Sequence, residues 1–190
     1  IGLVRVLAGF GSEVVAGYTV GIRVLIFALL PSWGMANAAA TMVGQALGAR
    51  DPARAERAVW IAGRYNLVFL GAAGLSFVLF APWIVGLFTT DPEPFRHGVL
   101  CLRIISLGFP FYAYGMVLTQ SFNGAGDTWT PTYLNMLCFW MIEIPLAFVL
   151  AYRTRVGPIG VYVAVAVAFS LLAVVSAVMF RRGKWKQKVV

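Results

Sequence analysis

The chain has 190 residues, of which 61% are hydrophobic and 12% charged, with a mean hydropathy of +0.84. Soluble domains carry about 25% charged residues, so half of the usual solvating surface is absent and a soluble core is excluded. The net charge of +8 does not point to nucleic acid, because most basic residues flank apolar runs, as juxtamembrane residues do.

A bilayer core asks for about 20 apolar residues per helix, and five stretches meet that demand. Residues 1–11 read as the end of a preceding helix. With Ile1 first and no signal peptide ahead of it, the chain is expected to begin inside a larger protein. The first full span covers about 12–47, interrupted by Arg23 and Pro31, as one kinked helix or two pieces. The second, about 52–88, begins where Asp51-Pro52 supplies an N-cap residue and a first-turn proline. Asp91-Pro92-Glu93-Pro94 is a turn that no helix crosses. The third span, about 97–122, is uncharged from Ile104 onward, rich in aromatics and kinked by Pro110. Thr130-Pro131 repeats the capping device before the fourth span, about 131–152, and Gly157-Pro158 turns the chain into the fifth, about 157–181. Residues 183–190 form a basic tail. The expected fold is therefore an all-α polytopic transmembrane helix bundle over residues 12–182.

Basic residues set the expected orientation. Arg50, Arg54, Arg57, Arg64, Arg181, Arg182, Lys184, Lys186 and Lys188 fall at one face, against Arg5, Arg96, Arg103, Arg153 and Arg155 at the other. The richer face, with the C-terminus, is expected to be cytoplasmic.

Several positions could carry function. Ala36, Ala40, Gly44 and Gly48 place small residues four apart, a face that lets a second helix approach closely in lipid. Asn37, Thr41 and Gln45 repeat the same spacing on a neighbouring face. Polar groups at membrane depth need a partner helix or a watery cavity, and either would serve here. Glu143 sits near the middle of the fourth span, two residues before Pro145. An intramembrane carboxylate is a candidate for carrying a coupling ion, or it bonds a donor on an adjacent helix. Proline at 145 leaves the Met141 carbonyl without its usual donor. Phe109, Pro110, Phe111, Tyr112 and Tyr114, followed by Gln120, Ser121 and Asn123, suit either a cavity for flat cations or an interfacial aromatic belt.

Signals for enzymes are absent. His97 is the single histidine and stands in a Pro-rich turn, Cys101 and Cys138 lie within apolar stretches, and no P-loop or metal-ligand spacing occurs. Gly124-Ala125-Gly126 is too short for a nucleotide loop and follows a span instead of a strand. No cofactor is implied.

Val43-Gly44-Gln45-Ala46-Leu47-Gly48-Ala49, together with Asn123-Gly124-Ala125-Gly126-Asp127-Thr128, Pro131, Asn135 and Pro145-Leu146-Ala147, resembles a lobe of the multidrug and toxic compound extrusion (MATE) family. Asp91-Pro92 suits the same pattern, and the resemblance covers the chain in order. It implies the C-terminal six-helix lobe of a twelve-helix, two-lobe transporter, with its first helix mostly missing. Such proteins export cationic amphiphilic compounds in exchange for H⁺ or Na⁺. The implied setting is a bacterial or archaeal inner membrane. The implied partners are the N-terminal lobe, membrane lipid and a small cationic substrate. The resemblance makes Asn37, Thr41, Gln45, Tyr112, Gln120 and Asn123 cavity-lining candidates. One branch of the family uses acids on helices seven and ten. The span matching helix ten has no acid over Ile104–Phe122, so the branch with an aspartate on the first helix fits better, and Glu143 is the one candidate coupling acid here. Rival readings are a lipid-linked precursor flippase of the same superfamily, which needs a basic cavity, and a non-transporting scaffold subunit with fully paired polar residues.

Overall fold

The computed structural model describes residues 2–154 and 156–187. Ile1, Arg155 and residues 188–190, including Lys188 of the basic tail, lie outside the described residues, as do the side chains of Lys184 and Gln187. The elements are helical throughout: α1 (Gly2–Ala8), α2 (Ser12–Gly48), α3 (Pro52–Gly86), α4 (Pro92–Ser106), α5 (Phe109–Gly124), α6 (Trp129–Asn135), a π-helical segment (Met136–Glu143), α7 (Ile144–Tyr152) and α8 (Ile159–Arg181). Four spans are long and apolar enough to cross a bilayer: α2, α3, the run Trp129–Tyr152, and α8. The bent pair α4–α5 makes a fifth.

Helix starts follow local hydrogen-bond supply. The Asp51 carboxylate accepts from the Arg54 amide at 2.9 Å, and Pro52 fills a position whose N–H would have no partner. The fourth span starts differently from the Thr130-Pro131 expectation. It begins at Trp129, and Asp127 takes the capping role, accepting from the Thr130 amide at 3.3 Å and hydroxyl at 2.8 Å. A carboxylate three residues ahead reaches an orphan amide that the Thr130 side chain, already inside the first turn, cannot serve.

Prolines shape the interior of the spans. α2 stays continuous through Pro31, one helix of 37 residues and not two pieces. The third span does not merely kink. It breaks between Ser106 and Phe109, and α4 and α5 meet at 57°, because Pro110 cannot continue an α-helical ladder from α4. Pro82 leaves the Val78 carbonyl without its helical donor, and the Arg103 Nε of α4 donates to it at 3.0 Å. Pro145 falls just after the π-helical segment. A missing N–H at 145 disrupts α-helical pairing over the preceding turn, and the widened π register is one way a helix absorbs that loss.

Close approach of backbones holds the layers together. A Cβ on Gly124 of α5 would strike the carbonyl of Ala40 on α2, and one on Gly44 would come within 3.1 Å of the Gly124 carbonyl. Ala36 is fully buried. Ala40 and Gly44 thus lie in the α5 contact, whereas a Cβ on Gly48 would meet nothing within 4 Å. At the far end Gly17 of α2 receives the backbone of α4 around Pro94 and Gly98.

The tail is not a free basic extension over its described part. Gly183 (φ 71°) reverses the chain, and Trp185 stacks on Phe180 at 4.6 Å while its Nε1 donates to the Phe180 carbonyl at 2.9 Å. Phe180 also meets Trp60 of α3 and Phe122 of α5 edge-on. Lys186 then reaches Glu56 of α3 at 2.6 Å.

Gly124→Ala should destabilise the bundle by about 1–3 kcal/mol, because the colliding atoms are backbone and cannot rotate away. Gly48→Ala, with open space around it, should leave the thermal unfolding temperature in detergent unchanged or slightly raised. Equal effects of the two variants would contradict the close α2–α5 packing.

Candidate functional site

The phase of α5 decides where the polar residues of two helices meet. Starting afresh at Phe109, α5 turns Tyr112, Met116, Thr119, Gln120 and Asn123 to one side, the spacing of a single helix face. That side faces α2, α8 and the Asn135 end of α6. These elements enclose an open cleft of about 270 Å³, lined by Trp33, Tyr112, Met116, Thr119, Gln120, Asn123, Asn135 and Leu172.

A chain of amides crosses its rim. Gln120 Nε2 donates to Asn37 Oδ1 at 3.0 Å, and Asn123 Nδ2 donates to Gln120 Oε1 at 2.5 Å. Asn37 and Asn123 remain exposed beside the half-buried Gln120. Thr41 is exposed one turn along α2 and bonds back to the Asn37 carbonyl at 3.1 Å, while Gln45 is exposed a further turn on. Thr119 donates to the Gly115 carbonyl at 2.6 Å and shares a 3.2 Å bond with Ser176 of α8. Tyr112 stacks on Phe169 at 4.0 Å and 21°, which fixes its ring as part of the wall.

Tyr112, Gln120 and Asn123 thus line the cleft, Asn37 is joined to it through Gln120, and Thr41 and Gln45 continue its edge on α2. Tyr114 goes elsewhere: its ring sits over Gly63 of α3 and tilts against Trp60 at 6.1 Å. Two residues along a helix is a rotation of about 200°, so Tyr112 and Tyr114 face opposite neighbours. Trp33, Met116, Thr119 and Asn135 were not among the candidates. Trp33 carried a usable signal, since it stands four residues before Asn37 on the same stripe as Thr41 and Gln45. Met116 and Thr119 could have been found by extending the Tyr112–Gln120 face.

Glu143 is not in this cleft. It is buried, 7% exposed, and among the described residues it has no hydrogen-bond or ionic partner. It lines a separate hollow of about 510 Å³ with Tyr18, Phe139, Trp140, Ile144 and the Gly2–Val4 stretch of α1. An intermediate hollow, lined by Thr132, Asn135, Met136, Phe139 and Trp140, shares Asn135 with the cleft and Phe139 and Trp140 with the Glu143 hollow. The three hollows are thus neighbours along α6 and the π-helical segment. Among the described residues no cluster of His, Cys, Asp or Glu could hold a metal ion.

Comparison with known proteins agrees with this architecture. The chain is 33% identical over 189 residues to a probable multidrug resistance protein NorM of Caulobacter vibrioides, covering 97% of this chain and 39% of that protein. It is 25% identical over 180 residues to a probable NorM of Thermotoga maritima, covering 95% and 39%. The chain thus spans about two fifths of the length of these curated relatives. Among solved structures, the MATE transporter ClbM in complex with Rb⁺ superposes with a TM-score of 0.91 at 23% identity, over 99% of this chain and 44% of that one. That likeness speaks to the fold: an integral membrane helix bundle matching one lobe of such a transporter. The MatE family profile matches residues 3–149, and the chain belongs to the MatE family.

Proposed function

We propose that this chain is the C-terminal lobe of a secondary active exporter of cationic, amphiphilic compounds, and that the α2–α5 cleft is its wall of the transport pathway. What carries the proposal is the cleft itself: amide oxygens, a hydroxyl and stacked rings that open to solvent from within a membrane-spanning bundle. Its lining holds no formally charged side chain. A flat organic cation would find the face of Trp33 and the Tyr112–Phe169 stack for cation–π contact, with the amide carbonyls of Gln120 and Asn123 for direction. The absence of Lys and Arg from the lining disfavours a carrier of lipid pyrophosphates, and the exposure of Asn37 and Asn123 disfavours a scaffold with every polar group sealed between helices. The relatives' names as multidrug resistance proteins point the same way.

In this proposal an N-terminal lobe supplies the opposite wall, and the two lobes rock about a shared axis to alternate access. The end carrying Arg54, Arg57, Arg181 and Arg182 faces the cytoplasm of a bacterial or archaeal inner membrane, by the weight of basic residues. Coupling comes from H⁺ or Na⁺. Of the seven acidic residues, Glu143 alone lies mid-span, in a hollow that is separated from the cleft by one further hollow sharing residues with both. It is therefore the candidate for the coupling step, exchanging its proton or cation as the lobes move.

Three measurements test this. The complete gene product in liposomes should move an organic cation such as ethidium against a proton or Na⁺ gradient; transport indifferent to both gradients would sink the antiport proposal. Glu143→Gln should abolish gradient-driven transport while cation binding persists, and unchanged transport would remove Glu143 from the coupling step. Single cysteines at Asn37, Thr41 and Tyr112 should react with a membrane-impermeant thiol reagent, and one at Tyr114, packed on Gly63, should not. Uniform protection of all four would contradict a watery cleft.

A further inference from the structure

The first turns of α3 carry an arginine face that no acidic side chain among the described residues pairs with. At about 100° per residue, Arg54, Arg57, Ile61, Arg64, Tyr65 and Val68 fall on one side of this helix, and all six are exposed. Ile61, Tyr65 and Val68 are 52%, 69% and 71% exposed, so an apolar strip runs on directly from the arginines. The nearby acids are engaged elsewhere. Glu56 points to the other side of α3, where it pairs with Lys186 and lies 3.5 Å from Trp60 Nε1. Asp51 caps the Arg54 amide. Among the described residues no carboxylate pairs with Arg54, Arg57 or Arg64.

Depth gives the face its meaning. α3 has 35 residues, about 52 Å at 1.5 Å per residue, against a hydrocarbon core of about 30 Å. Its apolar run begins at Leu67, just after Asn66, so Arg64 and Tyr65 stand at the boundary between hydrocarbon and headgroups, and Arg57 lies about 10 Å further out. Long guanidinium side chains extend along such a boundary, stems against apolar surface and heads in the polar layer. Two of them, about two turns apart, can close on one phosphate from above and below with paired N–H donors.

We propose that the Arg57–Arg64 face of α3 is a binding site for an anionic phospholipid, its phosphate held between the two guanidinium groups and an acyl chain lying along Ile61 and Val68. The fold-back of the tail matters here, because Lys186 occupies the one acid on these turns and leaves the arginines for the lipid. Arg54 adds long-range attraction to a negatively charged leaflet. A soluble anion would have no use for the apolar strip that continues the arginine face. The site is independent of the transport proposal and can hold or fail without it.

The test uses the complete gene product purified in a mild detergent and exposed to mixed micelles of dioleoyl phosphatidylglycerol or dioleoyl phosphatidylcholine, with bound lipid counted by native mass spectrometry. The intact protein should retain phosphatidylglycerol in preference to phosphatidylcholine. The Arg57→Gln/Arg64→Gln variant should lose phosphatidylglycerol roughly tenfold with phosphatidylcholine unchanged. The Arg57→Lys/Arg64→Lys variant keeps the charge but not the fork geometry, and should fall between. Equal retention of both lipids by the intact protein, or an unaltered level in the double Gln variant, would overturn the proposal. Displacement of the phosphatidylglycerol by inorganic phosphate would overturn it too, by assigning the face to a soluble anion. If the double variant loses its thermal unfolding transition, Arg64→Gln alone carries the test, with reduced phosphatidylglycerol retention expected and unchanged retention contradicting it.

Discussion

In hydrocarbon a peptide carbonyl that loses its helical donor has no water to turn to, and Pro82, Pro110 and Pro145 each create that situation in this lobe. Each is met differently. The Val78 carbonyl, freed by Pro82, takes the Nε–H of Arg103 from the neighbouring helix. Ahead of Pro110 the helix stops and restarts, bending by 57°. Before Pro145 the helix widens into a π register over Met136–Glu143. The Arg103 guanidinium thus has a structural use, tying α4 to α3 at the carbonyl that Pro82 leaves without a donor.

The site follows from these local repairs. Because α5 restarts at Phe109, its rotation about its own axis is not inherited from α4, and its polar face can meet α2. The small residues Ala40 and Gly44 then let α5 come so near that the Gly124 backbone lies against Ala40. Only at that separation can Gln120 bridge to Asn37 at 3.0 Å. The π-helical segment ahead of Pro145 ends at Glu143, which lies buried in a hollow apart from the cleft. Packing, backbone satisfaction and site geometry are one arrangement here.

Much of the fold was legible in residue patterns, because the bilayer imposes a length and a composition that a chain can hardly disguise. The long apolar runs marked an all-α bundle, and Asp51-Pro52 marked the start of α3 through capping chemistry that depends on two adjacent residues. What escaped were features that depend on more distant partners. Whether Pro31 and Pro110 bend, break or leave a helix intact depends on what packs beside them, and the two did opposite things. The capping carboxylate of α6 stood three residues ahead of the threonine that had looked like the cap. The fold-back of the tail needed Phe180, Trp60 and Glu56 from three places in the chain. At the cleft, Tyr112, Gln120 and Asn37 were marked by polarity at membrane depth. Trp33 carries no such mark, since a tryptophan in a span suits an interfacial anchor equally well. Tyr114 was grouped with Tyr112 by composition, although helical rotation already separated them.

The account centres on the α2–α5 cleft as the place where a cationic compound meets this lobe. Photolabelling of the complete gene product with a photoreactive aromatic cation, followed by peptide mapping, tests that most directly. Adducts should concentrate on Trp33–Thr41 of α2 and Tyr112–Asn123 of α5, and excess unlabelled cation should suppress them. Adducts spread over outward-facing aromatics such as Phe80 and Trp83, with none in the cleft, would contradict it.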